Sequence, residues 1–209
     1  MVDTTKLVQD HALLLERQRW AAAAIDFVRS IGLSVTEGVA QDVEGAFVPG
    51  VRIVDGGLIV DPETVFPGDV LHEAGHLAVI PAKFRQLATG TLRQVFKSMT
   101  QYLKDNPTIL GGWPEDPVGR CILQSGEAEA AAWQYAAAHH IGLPDQWLFP
   151  PESFEGKSED TLLRLKVNQY FGINGLQAAG WTRVHAMGNP AKPLYPKLAF
   201  WLHGSQAGE

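Results

Sequence analysis

The chain has 209 residues, 45% hydrophobic and 19% charged, which predicts one globular domain able to bury a real core. With 17 basic against 23 acidic side chains its formal charge is -6, so no overall attraction to nucleic acid or to an anionic membrane is built in. One cysteine, Cys121, excludes an internal disulfide and a thiolate zinc cluster, and a metal site would have to use His, Asp or Glu.

The first residues mix acidic and basic side chains, and the first apolar run is interrupted by Glu16, Arg17 and Arg19, unlike a signal peptide. The stretches Trp20 to Ile25 and Ala130 to Ala138 are far shorter than the ~20 residues of a membrane span. A soluble, cytoplasmic protein is the expectation.

In chain order, Leu7, Leu14, Ala21, Ile25 and Val28 recur at helical spacing and predict a long amphipathic helix from Thr5 to Ile31, closed by Gly32. Its charges, such as Arg17 and Arg29, read as a solvated face. The β-branched runs Val51 to Val54 and Leu58 to Val60, joined by Asp55-Gly56-Gly57, predict a hairpin whose turn takes positive φ. Asp61-Pro62 ends the second strand. After Pro67-Gly68 a helix is expected with Asp69 as N-cap, running to about Pro81.

A further amphipathic helix, Thr91 to Lys104, carries Leu92, Val95, Phe96, Met99 and Leu103 on one face and stops at Asn106-Pro107. Gly111 to Pro117 is turn-rich and predicts a surface loop. An Ala-rich helix is predicted from Gly119 to Ile141, closed by Gly142 and Pro144, and a shorter one from Leu162 to Phe171. Asn189 to Pro196 holds three prolines and predicts an irregular segment, after which Phe200-Trp201 docks on the body.

The chemistry concentrates on the helix after the hairpin, at His72-Glu73-Ala74-Gly75-His76. Residues four apart share one helix face, so His72 and His76 can bind one zinc ion while Glu73 reaches water at an open coordination position. Such a site makes a hydrolytic nucleophile at neutral pH, with Glu73 as general base. A third ligand is needed. The Ala-rich helix offers Glu127 and Glu129, about 200° apart around the axis, so only one can face the metal. Glu127 is preferred, because Ala130, Ala131, Gln134 and Ala138 on its face let the helix approach Gly75 closely. Glu129 shares a face with Trp133 and His140 and is the second choice, or an outer carboxylate.

At these residues the chain resembles the ImmA/IrrE family of zinc metallopeptidases, gluzincins whose third ligand is a glutamate. The likeness lies in Gly57 to Pro62 followed by Val70 to His76, in Glu127 to Trp133 against the family's Glu-x-Glu-Ala-Asn-x-Phe, and in Ile141 to Pro144. It covers residues 45 to 144 and departs from the family at Ala131, where the family has Asn, and in the longer stretch 77–126. The resemblance implies His72, His76 and Glu127 as zinc ligands, Glu73 as catalytic base, a protein or peptide substrate, and intracellular regulatory proteolysis.

The expected fold is α+β and zincin-like: a small antiparallel sheet packed on the motif helix, with additional long helices. One domain is expected over 1–209, with an N-terminal helix at 1–33, a catalytic core at 45–144 and a C-terminal extension at 145–209. Candidate oxyanion donors are Tyr135, His139, His185, Tyr195 and His203. Leu58 to Val60 is a candidate edge strand to which a peptide could add, and Trp113 and Trp181 are candidate pocket walls. The rival readings are a zinc hydrolase acting on a non-peptide amide, and a non-catalytic zinc-binding regulatory or interaction module.

Overall fold

The structure is a computed structural model and describes residues 4–39, 48–111, 117–186 and 189–204. Helix α1 (Thr4–Ser30) leads through Gly32, at φ 96°, into β1 (Val35–Glu37), then β2 (Val51–Val54) and β3 (Gly57–Val60). The motif helix α2 (Pro67–Val79) is followed by α3 (Ala82–Arg85), α4 (Arg93–Asp105), α5 (Pro107–Gly111) and α6 (Pro117–Leu123). Then come α7 (Glu127–Ile141), a 3-10 turn (Asp145–Trp147), α8 (Ser153–Gly156), α9 (Ser158–Lys166) and α10 (Phe171–Ala178). This is an α+β fold. Among the described residues no helix is long and apolar enough to cross a membrane.

The hairpin forms as its residues require. Asp55 and Gly56, at φ 47° and 75°, make the tight turn, while Gly57 is already in the strand, where a Cβ would lie 2.9 Å from the Ser34 carbonyl oxygen. The sheet is not purely antiparallel: its order is β1-β3-β2, with β1 parallel to β3. A three-residue, half-exposed strand carries no pattern of its own, and its place comes from Leu58 N–H donating to Ser34 and Gly38 N–H donating to Val60, both at 2.9 Å. β3 is therefore the central strand, with a neighbour on each side, and offers no edge to a peptide.

Helix α2 is the axis of the core. Val70, Leu71, Ala74, Leu77 and Ala78 are fully buried, which for each of the larger side chains is worth about 1.5–3 kcal/mol. Pro67 sits at the first helical position and Phe66 is the N-cap, so Asp69 lies within the first turn, buried, rather than capping the helix. Pro81 follows the last turn, whose carbonyls at Leu77 and Ile80 accept from Arg85. The second half of α1 packs through Ala21, Ala24, Ile25 and Val28, whereas Leu13, Leu14 and Leu15 are exposed.

The Ala-rich segment is two helices, not one. Ser125 Oγ donates to the Ile122 carbonyl at 2.9 Å, Gly126 is extended, and Glu129 accepts the Gly126 N–H at 3.2 Å, which closes α6 and starts α7. The break places Glu127 on the first turn of α7. The predicted helix from Leu162 to Phe171 is likewise divided: Asn168, at φ 58°, ends α9 with its N–H and that of Gln169 bonded to Leu165 and Arg164 carbonyls. Residues 107–111 and 117 are helical, and the rest of the predicted loop, Trp113 included, lies outside the described residues.

The C-terminal segment docks on α7. Trp201 meets Phe27 edge-on at 5.0 Å and Trp133 at 5.7 Å, and Trp133 Nε1 donates to the Trp201 carbonyl at 3.1 Å. Trp181 is a core residue, 1% exposed and packed on Phe200 at 4.4 Å.

Candidate metal centre

Two helices build the site. Helix α2 presents His72 and His76 one turn apart, with ring centroids 4.8 Å apart and planes nearly perpendicular. Helix α7 crosses it closely because Gly75 has no side chain: a Cβ there would lie 2.7 Å from the Ala130 carbonyl oxygen. One turn before Ala130, Glu127 is thereby brought over the two imidazoles. His72 Nε2 lies 2.9 Å from Glu127 Oε1, and His76 Nε2 3.2 Å from Oε2. One ligand atom from each residue lies within 4.8 Å of those of the other two, so the His72, His76 and Glu127 group could hold a metal ion.

The donor set fits a cation. Gln134 receives His72 Nδ1 on its Oε1 at 3.1 Å, leaving Nε2 directed at a carboxylate oxygen, two electron-pair donors face to face unless a positive charge lies between them. The electrostatics of the metal-free chain agree. Burial works against a charge on His72, yet the hydrogen bond and charge of Glu127, with Glu73 and Gln134, push its pKa up to about 9. The bonds to His72 and His76 hold the Glu127 carboxyl far below the usual carboxylate range.

Glu73 lines the same cavity of about 530 Å³ as the three residues, together with Gly90, Thr91, Leu92 and Phe96. Phe96, predicted for the core face of α4, is partly exposed at this wall, while Val95 and Met99 from the same helix are buried. Glu129 points elsewhere: it caps α7 at Gly126, and its carboxylate leans on Gly175 of α10. None of the five candidate oxyanion donors lines this cavity. Tyr135 stacks on Tyr195, whose hydroxyl donates to the Ala132 carbonyl at 2.9 Å, His203 lies by Arg85, and His139 and His185 are exposed.

Asp69, expected as the N-cap of α2, lies instead beside the imidazole of His72. It is three residues before His72 and four before Glu73, hence on their face, and it lines a smaller recess with His72, Glu127 and Gln134. Burial raises its pKa to about 7, opposed by His72 and assisted by Glu73 and Glu152. A carboxyl whose native pKa exceeds its unfolded value keeps its proton longer in the folded state, so stability falls as pH rises from about 4 to about 7. Between pH 5 and pH 8 metal-free wild type is expected to lose about 2–4 kcal/mol relative to Asp69→Asn, read from urea midpoints at the two pH values. Parallel pH dependences of the two proteins would refute this.

Comparison with models of known protein families, with curated proteins and with solved structures gives no match.

Proposed function

We propose that the chain is a zinc-dependent metallopeptidase on a zincin-like scaffold, of the kind its resemblance to the ImmA/IrrE family implies. His72, His76 and Glu127 are the zinc ligands, Glu73 is the general base, and the substrate is a peptide bond in an intracellular protein. The observation that carries this reading is the meeting of two imidazole Nε2 atoms and one carboxylate from two helices, with Glu73 on the wall of the same cavity. A purely structural site has no use for that carboxylate or for an open cavity.

Zinc bound there supplies Lewis acidity, which polarises a carbonyl and acidifies water. The Glu73 carboxylate accepts the proton of the attacking water and returns it to the departing amine nitrogen. Leu92 and Phe96 make one wall apolar, which suits an apolar substrate side chain. Glu127, at the first turn of α7, is held negative by the helix N-terminus as well as by the imidazoles.

Glu73→Gln separates binding from chemistry. Turnover of a quenched-fluorescence peptide library is expected to fall by about 10²–10⁴ while zinc stays bound. Equal turnover by Glu73→Gln and wild type would remove Glu73 as base, and absence of stoichiometric zinc from wild type prepared without chelators would remove the metallopeptidase reading.

A further inference from the structure

We infer that Gln134 is a positioning residue of the metal centre, which holds His72 with its proton on Nδ1 and so makes Nε2 the ligand atom. The inference rests on the metal reading above and adds to it the group that prepares the site for the ion. Gln134 is 1% exposed, in the middle of α7, where an amide is costly unless all its polar atoms are paired. They are. Nε2 donates to the Gly68 carbonyl at 3.0 Å and to the Leu148 carbonyl at 2.9 Å, and Oε1 lies 3.1 Å from His72 Nδ1.

The two carbonyls settle which end of the amide is which. A flipped amide would set its oxygen against two carbonyl oxygens, acceptors facing acceptors, whereas the observed orientation uses both amide N–H groups. Oε1 is then a pure acceptor, and His72 Nδ1 must be the donor, whether the ring is neutral or charged. Nε2 is left to face Glu127. Gly68 is part of the device, since a Cβ there would lie 1.8 Å from the Leu148 oxygen and would push that carbonyl out of reach. His76 has no counterpart: its Nδ1 is buried without a hydrogen-bond partner among the described residues. The control of ring orientation is thus concentrated on His72, through one side chain that also ties α7 to the start of α2 and to the 147–149 segment.

Two substitutions divide positioning from tethering. Gln134→Met removes both the acceptor and the donors, and Gln134→Glu keeps an acceptor for Nδ1–H but loses donors to the two carbonyls. Both are expected to lower the denaturant midpoint. Zinc affinity, measured by chelator competition, is expected to fall about 10–100-fold in Gln134→Met and to stay near the wild-type value in Gln134→Glu. Equal weakening in both would overturn the inference and leave Gln134 a tether only. Independently of either variant, nitrogen-15 spectra of histidine-labelled wild type are expected to show a protonated His72 Nδ1 in both the metal-free and the zinc-loaded chain. An unprotonated Nδ1 in a chain that binds zinc normally would overturn the inference and leave the metallopeptidase reading standing, while failure of wild type to bind zinc would overturn that reading and, with it, this one.

Discussion

His72→Ala and Glu127→Ala are each expected to leave the purified chain without stoichiometric zinc, while Glu129→Ala keeps about one ion per chain. On the proposed ligand set, removing either residue leaves two protein ligands where a catalytic zinc site needs three, and the loss should exceed the roughly 10–100-fold seen when only an outer partner is removed. The control is informative because Glu129 is two residues from Glu127 in the same acidic first turn, yet its carboxylate caps Gly126 and contacts α10. Losing it should cost about 1 kcal/mol of stability as a lost cap and nothing in metal content. Elemental analysis and a denaturation curve for each variant check both halves. Zinc retained by Glu127→Ala and lost by Glu129→Ala would reverse the ligand assignment.

Gly75→Ala is expected to damage fold and site together. The added methyl would meet three backbone atoms of Ala130, the nearest at 2.7 Å, and backbone cannot rotate aside as a side chain does. Helices α2 and α7 must separate, at about 1–3 kcal/mol. Glu127 rides on α7 one turn from the contact, whereas both histidines ride on α2, so the same separation pulls the carboxylate from the imidazoles. The denaturant midpoint and the zinc affinity should fall in the same variant. Gly38→Ala is the neutral comparison, because a Cβ at Gly38 meets nothing within 4 Å. Unchanged zinc affinity in a destabilised Gly75→Ala would show that the helix crossing does not set the ligand geometry.

Local signals read well wherever one element was enough. The hairpin was legible from Asp55-Gly56 between β-branched runs, and the end of α2 from Pro81, because turn and helix chemistry acts over a few residues. The break inside the Ala-rich stretch was legible in principle: Ser125-Gly126 followed by Glu129 is a helix-start signal, and alanine's helix preference masked it. Asn168 carried a comparable stop signal between α9 and α10. Phe96 was misplaced because a hydrophobic stripe does not say whether it faces a core or a cavity.

By itself the sequence determined the pairing of His72 with His76 and the position of Glu73 beside them, because a helical turn places residues four apart on one face. It also left Glu127 and Glu129 as the two carboxylates that could reach the imidazoles. Only the tertiary structure decided between them, made β3 the central strand rather than an edge, buried Asp69 beside the imidazoles, and turned Gln134 from a spacer into a partner of His72. The physical reason is range. Helical periodicity and capping are written within a few residues, whereas Gln134 and His72 are 62 positions apart. Such contacts arise only when burial and the close approach of backbones at Gly68 and Gly75 lock separate elements together.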